Sequence, residues 1–386
     1  MSALAAAALA AGSARGDAGA LALRRAALWA LLASKLLAGM GVQWDIQWHV
    51  IVGRDTFWIP PHVMTYAGVT GAVLLSFGVL ACETLRAWRT GPAPGTLRIL
   101  GLVGTRGYHL ATWGIALTVL AAPIDDLWHR LFGIDVTLWS PPHLLGLLGA
   151  GVNTLGCLLV ATEVYPLRSL ARAAATVASG ALLYGIVHLT IDPAGRLAFL
   201  YGGLWFCVLP ILGALMLPLA LVPTARLSAL RWAPVLLLVL DIAVGVVGQQ
   251  VARTGIEVMQ PVSVIEAEIA ADPTSPIAVA QRMARADSRP PGRVGGLMHL
   301  IGLPAAVALA LVDPRRRPLA AALAYATVFF PSLILGMSAR PSLAPMLPGP
   351  AILATGWLLA VIAGTTSGLA ARALSRALEP AEPAAR

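Results

Sequence analysis

Charged residues are scarce in this chain. Only 12% of its 386 residues are charged, against roughly 25% in soluble domains, while 58% are hydrophobic. A chain of this composition does not fold as an ordinary soluble domain, because it would expose large apolar surfaces to water. The composition therefore predicts an all-α polytopic membrane protein whose first partner is the lipid bilayer.

Lysine and cysteine are also scarce. Lys35 is the only lysine, so the formal net charge of +9 comes from arginines, which cluster between apolar runs. Such clusters follow the positive-inside rule and do not indicate nucleic-acid binding. The cysteines Cys82, Cys157 and Cys207 are far apart in apolar runs, which argues against a disulfide framework and against a thiolate metal site. Glycine-rich nucleotide-binding patterns are missing as well.

Long apolar runs, in contrast, are abundant. A membrane-spanning helix needs about 20 mainly apolar residues, and the sequence predicts about ten such helices. Their approximate ranges are 26–44, 62–84, 103–123, 143–164, 171–191, 198–222, 232–250, 296–312, 319–337 and 350–371. Arginine clusters fall on alternate connections, which predicts that these connections and both termini lie on the cytoplasmic side of the inner membrane. The other loops then face the periplasm.

These runs predict how the chain is organised. The predicted regions are a cytoplasmic N-terminus (1–25), a four-helix region (26–165), a six-helix membrane region (166–372) with an outer loop (251–295), and a disordered cytoplasmic tail (373–386). Residues 261–286 of the outer loop are predicted to form one or two short amphipathic helices that lie over the outer face. The tail is rich in alanine, proline and glutamate, a composition typical of disorder.

Two outer loops repeat one pattern of carboxylates and imidazoles. The copies read DIQWH (45–49), GRDT (53–56) and PPH (60–62), then DDLWH (125–129), GID (133–135) and PPH (141–143). The offset is 125 − 45 = 80 at the first aspartate and 143 − 62 = 81 at the last histidine. Because such residues are unfavourable near a membrane, their recurrence in register predicts function. The first four spans are thus predicted to form a duplicated, parallel helical hairpin.

The spacing within the first copy suits a metal ion. Asp45 and His49 are four residues apart, so on a helix they share one face with Cβ atoms about 5–6 Å apart. Proline suits the first turn of a helix, so Pro60 and Pro61 predict that His62 projects from the top of the next helix toward that pair. Two histidines and one carboxylate suit Cu(II), Fe(II) or Zn(II), and spacing alone does not choose among them.

The second copy offers Asp125, His129 and His143 in the same arrangement. Neighbouring side chains are predicted to surround the two ligand sets, and carboxylates among them are predicted to accept hydrogen bonds from the imidazoles. These neighbours are Asp55, Asp126, Asp135, Trp48 and Trp128. Asp126 is also a candidate substitute ligand, because it lies three residues before His129.

The motif resembles the C subunit of the particulate methane monooxygenase and ammonia monooxygenase family, over about residues 26–165. The matching residues are Asp45, Trp48, His49, Arg54, Asp55, Thr56, Pro60 and His62. The resemblance implies a membrane-embedded copper site formed by Asp45, His49 and His62. It implies a second site at Asp125, His129 and His143, although the methane enzymes have asparagine where this chain has Asp125.

The resemblance also implies partners and a reaction. The family's C subunit works beside A and B subunits, and the soluble copper domains of B have no counterpart in this chain. The implied function is copper-dependent oxidation by O2 of a small apolar substrate or of ammonia, within an oligomeric complex. Two alternatives stay open: a non-catalytic protein that binds, transfers or transports copper, and a solute carrier with a structural metal. The role of the last six predicted helices is not readable from the sequence.

Overall fold

Helices make up most of the described chain. The computed structural model describes residues 3–53, 56–132, 138–292 and 300–379, with side chains from residue 18 onward except that of His129. The helices are α1 (Ala3–Ile51), α2 (Pro60–Thr90), α3 (Arg106–Phe132), α4 (Pro141–Val164), α5 (Leu170–Ile191), α6 (Ala194–Tyr201), α7 (Val208–Met216), α8 (Pro218–Ser228), α9 (Ala233–Met259), α10 (Ile265–Ala271), α11 (Pro276–Ala286), α12 (Gly302–Val312), α13 (Pro318–Ser338) and α14 (Pro350–Ala377).

Short elements connect some of these helices. Strands β1 (Thr96–Ile99) and β2 (Leu102–Thr105) pair antiparallel as a small hairpin between α2 and α3. Two 3-10 helices cover Gly203–Cys207 and Ala344–Met346. The predicted all-α class is therefore correct for the membrane region, with one hairpin added outside it.

The predicted membrane class is confirmed. Within the described residues, nine helical segments are long and apolar enough to cross a membrane, so the chain is a multi-pass helical membrane protein. The predicted eighth span, 296–312, corresponds in part to α12, which has only 11 residues over Gly302–Val312. Residues 293–299 lie outside the described part of the chain.

The predicted span 198–222 has its counterpart in the spanning segment Gly203–Ser228, but residues 198–222 do not form a single regular helix. The segment is divided among α6, a 3-10 helix, α7 and α8. Gly202 and Gly203 have φ values of +59° and +55°, a left-handed conformation that glycine adopts without strain and that ends α6. Pro218 then begins α8, where its missing N–H costs nothing.

Two helix ends extend into regions that were predicted to lie outside the spans. The helix α1 begins at Ala3 and so includes most of the predicted N-terminal region 1–25. Arg24 lies within α1, where its Nη2 donates to Glu83 Oε2 on α2 at 3.0 Å. At the other end α14 continues to Ala377, so residues 373–377 of the predicted tail are helical, while 380–386 lie outside the described residues.

Buried apolar side chains form two main clusters. One lies among α1 to α4 and includes Leu28, Leu80 and Tyr108, all fully buried. The other extends from α4 through the later spans. Within the first, Gly68 lets α1 and α2 approach closely, since a Cβ there would lie 2.4 Å from Ala38 N. Small residues at helix interfaces are a common basis of packing in membranes.

Candidate metal centre

The first ligand set lies where α1 ends and α2 begins. Asp45 and His49 occupy successive turns of α1, which continues to Ile51. Because α2 begins at Pro60, His62 lies in its first turn, as predicted. The Asp45 Oδ1 atom lies 3.3 Å from His49 Nδ1 and 3.1 Å from His62 Nε2. The structure thus brings together the three side chains that the spacing selects.

The contacts of His62 determine where its proton resides. Its Nδ1 lies 3.0 Å from the backbone carbonyl oxygen of Thr56, which only accepts hydrogen bonds. If a neutral His62 carries its proton on Nδ1, its Nε2 would present a lone pair to Asp45 Oδ1. Two lone pairs facing each other at 3.1 Å require a cation between them, either a second proton or a metal ion.

His49 is oriented in the same way by a backbone carbonyl. Its Nδ1 lies 2.9 Å from the carbonyl oxygen of Asp45, so Nδ1 is the nitrogen that would carry the proton of a neutral ring. Histidines that bind metals usually donate their other ring N–H to such a carbonyl or to a carboxylate. A carbonyl oxygen therefore lies at Nδ1 of both imidazoles, which is the arrangement that suits metal binding through Nε2.

The donor set fits a divalent transition-metal ion in its chemistry. Two donors bound to one ion at about 2.1 Å lie roughly 3.0–3.4 Å apart, and Asp45 Oδ1 and His62 Nε2 are separated by 3.1 Å. The three side chains converge on one carboxylate oxygen rather than around a common centre. Among the described residues, no group of three His, Cys, Asp or Glu side chains is arranged as a formed metal site.

Aromatic side chains adjoin the open side of this set. The ring of Tyr66, one turn after His62 on α2, lies 5.8 Å from the imidazole, and Phe57 lies 4.9 Å from both Tyr66 and Trp58. The side chain of His62 is 22% exposed, so the set is partly open. The sequence interpretation missed Tyr66, although its spacing of four residues from His62 is the signal that places both on one face.

Trp48, predicted to surround the ligands, packs into an apolar cluster. It is buried together with Val52 and Ile59 and lies near Ile256 of α9. This cluster joins the end of α1, the connecting loop and α9. Trp48 therefore holds the loop between the two ligand-bearing helices in place.

Residues 260–292, named the outer segment after their predicted position, cover the end of α1. The prediction of short helices within 261–286 is confirmed by α10 and α11. Gln281 Nε2 donates to the carbonyl of Val50 at 2.6 Å, and Ser263 Oγ donates to the carbonyl of Ile51 at 2.8 Å. The last carbonyls of a helix have no partner within the helix, so these bonds from distant residues fix the turn that follows His49.

Asp287 fixes the far end of this segment. Its side chain is fully buried, and it accepts hydrogen bonds from Arg340 Nη2 at 2.7 Å and from the backbone N–H of Ser342 at 2.9 Å. Burial alone would raise the pKa of Asp287, but the bonds from Ser342, Arg340 and Arg289 outweigh it and lower the pKa to about 2. The carboxylate is thus ionised, and it ties the outer segment to the loop after α13.

The second ligand set has the same helix arrangement, with α4 beginning at the first proline of its motif. Asp125 Oδ1 lies 3.5 Å from His143 Nε2, and both side chains are about 30% exposed (29% and 30%). His129 lies one turn after Asp125 on α3, but its side chain is outside the described part. Asp55 and Asp135 lie outside it as well.

Two predicted neighbours of the second set contact other residues. Asp126 Oδ2 forms an ion pair with Arg130 Nη2 at 2.7 Å on an exposed surface. The ring of Trp128 lies 4.4 Å from that of Phe132. The structure therefore brings Asp125 and His143 together, while the described contacts of Asp126 and Trp128 lie within α3.

The chain matches no protein-family model, no curated protein and no solved structure. The fold by itself establishes a multi-pass helical membrane protein.

Proposed function

We propose that this chain binds copper through Asp45, His49 and His62, as a relative of the C subunit of the copper membrane monooxygenases. One observation carries the proposal: His62 Nε2 lies 3.1 Å from Asp45 Oδ1, while the Thr56 carbonyl oxygen lies 3.0 Å from the other ring nitrogen, Nδ1. The carbonyls of Thr56 and Asp45 hold the two imidazoles in the matching tautomer. Imidazole and carboxylate donors suit Cu(II), and no sulfur atom is among the described contacts of this set.

A second copper ion is proposed at Asp125, His129 and His143. Its support is the separation of 3.5 Å between Asp125 and His143, at the same place between two helices as in the first set. On this proposal α1–α2 and α3–α4 are two copies of one hairpin. The carboxylate of Asp125 adds a negative charge to this ligand set. The set would therefore bind a divalent ion more tightly than a set with a neutral asparagine at this position.

The proposed activity is oxidation by O2 of a small apolar substrate or of ammonia, within a complex that contains A- and B-like subunits. Bound copper would supply the redox chemistry and the affinity for O2. The chain's own residues hold the ligands: the Thr56 carbonyl orients His62, and the outer segment fixes the end of α1. Phe57 and Tyr66 form an apolar surface beside the site that suits a small apolar substrate.

The proposed location is the inner membrane, with both termini in the cytoplasm and both ligand sets on the periplasmic side. The support is the alternation of arginine-rich connections along the chain. Cysteine labelling from outside intact spheroplasts tests this orientation. A cysteine in place of exposed Glu266 should react with an impermeant maleimide, whereas one in place of Arg168 should react only after lysis.

Metal analysis of the purified full chain tests copper binding. We expect up to two copper ions per chain, and His49→Ala and His62→Ala should each remove one of them. His188→Ala is the matched control, because this histidine lies on a different spanning helix, α5, and should leave the copper content unchanged. A wild-type chain without copper, or equal copper in all variants, would refute the proposal.

The partial exposure of the site favours a second candidate, a non-catalytic role in copper handling. The side chains of Asp45 and His62 are 25% and 22% exposed, which allows an ion to enter and leave. An assay of O2-dependent product formation with the partner subunits present separates the two candidates. Product formation that His62→Ala abolishes supports oxidation, whereas copper transfer to an acceptor without product supports handling.

A further inference from the structure

Five arginines line one cleft far along the chain from both ligand sets. The cleft has a volume of about 430 Å³ and lies at the ends of α8, α13 and α14. Its arginines are Arg226, Arg316, Arg317, Arg372 and Arg376. No carboxylate lines it among the described residues. Like charges gathered in one cleft repel each other, so the arrangement points to an anionic ligand.

Nearby carboxylates neutralise only part of this charge. Arg226 Nη2 pairs with Glu379 at 3.0 Å, and Arg316 lies 3.9 Å from Asp313. In the described part of the chain no carboxylate lies at ion-pair distance from the other three arginines. The arginines that line the cleft therefore keep most of their positive charge unneutralised.

A helix N-terminus adds to the positive electrostatic potential of the cleft. Helix α13 begins at Pro318, and its first turn, including Leu319 and Ala320, lines the cleft. No side chain caps this helix end. The unpaired N–H groups and the dipole at the start of a helix favour a negatively charged group. The arginine charges and the helix dipole therefore act on the same cleft.

The position of the cleft identifies the source of the anion. Helices α13 and α14 are membrane-spanning by length and composition, and the cleft lies where they end. Leu319 and Leu323 line it beside the arginines, so a ligand there meets apolar and basic groups together. Basic pockets between the ends of spanning helices bind the headgroups of anionic lipids.

We propose that this arginine cleft binds the headgroup phosphate of an anionic phospholipid. Arg316 and Arg372 approach it from the ends of α13 and α14, so the bound lipid joins these two helices. A free phosphate ion offers the same oxygens, but it lacks the acyl chains that Leu319 and Leu323 favour. The site is independent of the proposed copper binding.

Native mass spectrometry of the detergent-solubilised full chain tests the proposal. We expect dioleoyl phosphatidylglycerol to bind at least tenfold more tightly than dioleoyl phosphatidylcholine. The double variant Arg316→Gln/Arg372→Gln should bind phosphatidylglycerol ~30-fold more weakly, since each basic residue near an anionic surface contributes roughly a fivefold factor. Its affinity for phosphatidylcholine should not change, and this also shows that the variant is folded.

The matched control is Arg253→Gln/Arg285→Gln, which removes two arginines that form exposed ion pairs elsewhere. This control should bind phosphatidylglycerol like the wild type. Equal retention of the two lipids by the wild type, or equal losses in the two double variants, would overturn the proposal. Complete displacement of the lipid by millimolar inorganic phosphate would also overturn it and would identify a site for the free ion.

Discussion

The Nε2 atom of His62 lies 3.1 Å from the Oδ1 atom of Asp45, at the junction of α1 and α2. In the same way, the Nε2 atom of His143 lies 3.5 Å from the Oδ1 atom of Asp125, at the junction of α3 and α4. The two residue pairs lie on separate pairs of helices and have no residue in common. Each set can therefore be removed without the other.

Neutralising one aspartate at a time should separate the two sets. Asp45→Asn should lower the copper content by one ion per chain, because the amide keeps the shape but loses the charge that favours a cation between it and His62. Asp125→Asn should remove the other ion, and the double variant should bind none. Elemental analysis of the purified variants measures this. Loss of both ions in either single variant would mean that the sites are coupled.

The bond from Gln281 to Val50 is expected to support the first set from a distance. Gln281→Ala should lower the free energy of unfolding by ~1 kcal/mol, the usual net contribution of a hydrogen bond, and should speed hydrogen exchange over residues 45–52. Thermal unfolding in detergent and exchange mass spectrometry measure the two effects. Gln250→Ala is the control, because Gln250 bonds only to Thr254 on an exposed surface among its described contacts. Equal effects of the two variants would exclude a role for the outer segment.

The low pKa of Asp287 predicts that the stability of the outer segment depends on pH. Its pKa in the fold is about 2, below the unfolded value of about 3.9. Its contribution to stability is therefore complete above about pH 4 and is lost as the pH falls through 2. Asp287→Asn should cost about 1.5–3 kcal/mol at pH 7 and should flatten the stability profile between pH 4 and 2.

Proteolysis of the segment 260–292 at a series of pH values measures this effect. Glu266→Gln is the control, since that side chain is 83% exposed and pairs only with Arg285 among the described residues. An unchanged acid profile in Asp287→Asn would show that other carboxylates control the segment.

Lys35 and Asn153 connect three helices of the N-terminal half. Lys35 Nζ on α1 donates to Asn153 Oδ1 on α4 at 2.7 Å, and Asn153 Nδ2 donates to the Ala111 carbonyl on α3 at 2.7 Å. Asn153→Leu should destabilise the chain by ~3 kcal/mol, because it leaves a buried ammonium group without its main partner. Lys35→Met/Asn153→Leu should regain much of that loss. Thermal unfolding measures both, and a double variant worse than the single one would contradict this account.

Much of the candidate site could be predicted from local chemistry. The spacing of Asp45 and His49 on one helix face, and the prolines that start the next helix before His62, needed only helix geometry. The same holds for the short helices of the outer segment, whose polar and apolar residues alternate with a helical period. Apolar length alone identified most spans, because a bilayer accepts few other structures.

Other features depended on local breaks that a hydropathy average misses, or on residues that are distant in sequence. The division of 198–222 arises from local glycine and proline chemistry that a hydropathy window averages out. The burial of Trp48 against Ile256 and the bond from Gln281 to Val50 join segments more than 200 residues apart. A repeat in one part of a chain contains no information about such partners.

The sequence by itself determined the membrane class, the helix faces and the set of candidate ligands, because these follow from local periodicity and the hydrophobic requirement of the bilayer. Only the tertiary structure decided which segment covers the end of α1, because Gln281 and Ser263 reach the carbonyls of Val50 and Ile51 from more than 200 residues away. Only it gathered the arginines of α8, α13 and α14 into one cleft. Side chains that are far apart in the sequence can act on one ligand only when packing brings them together.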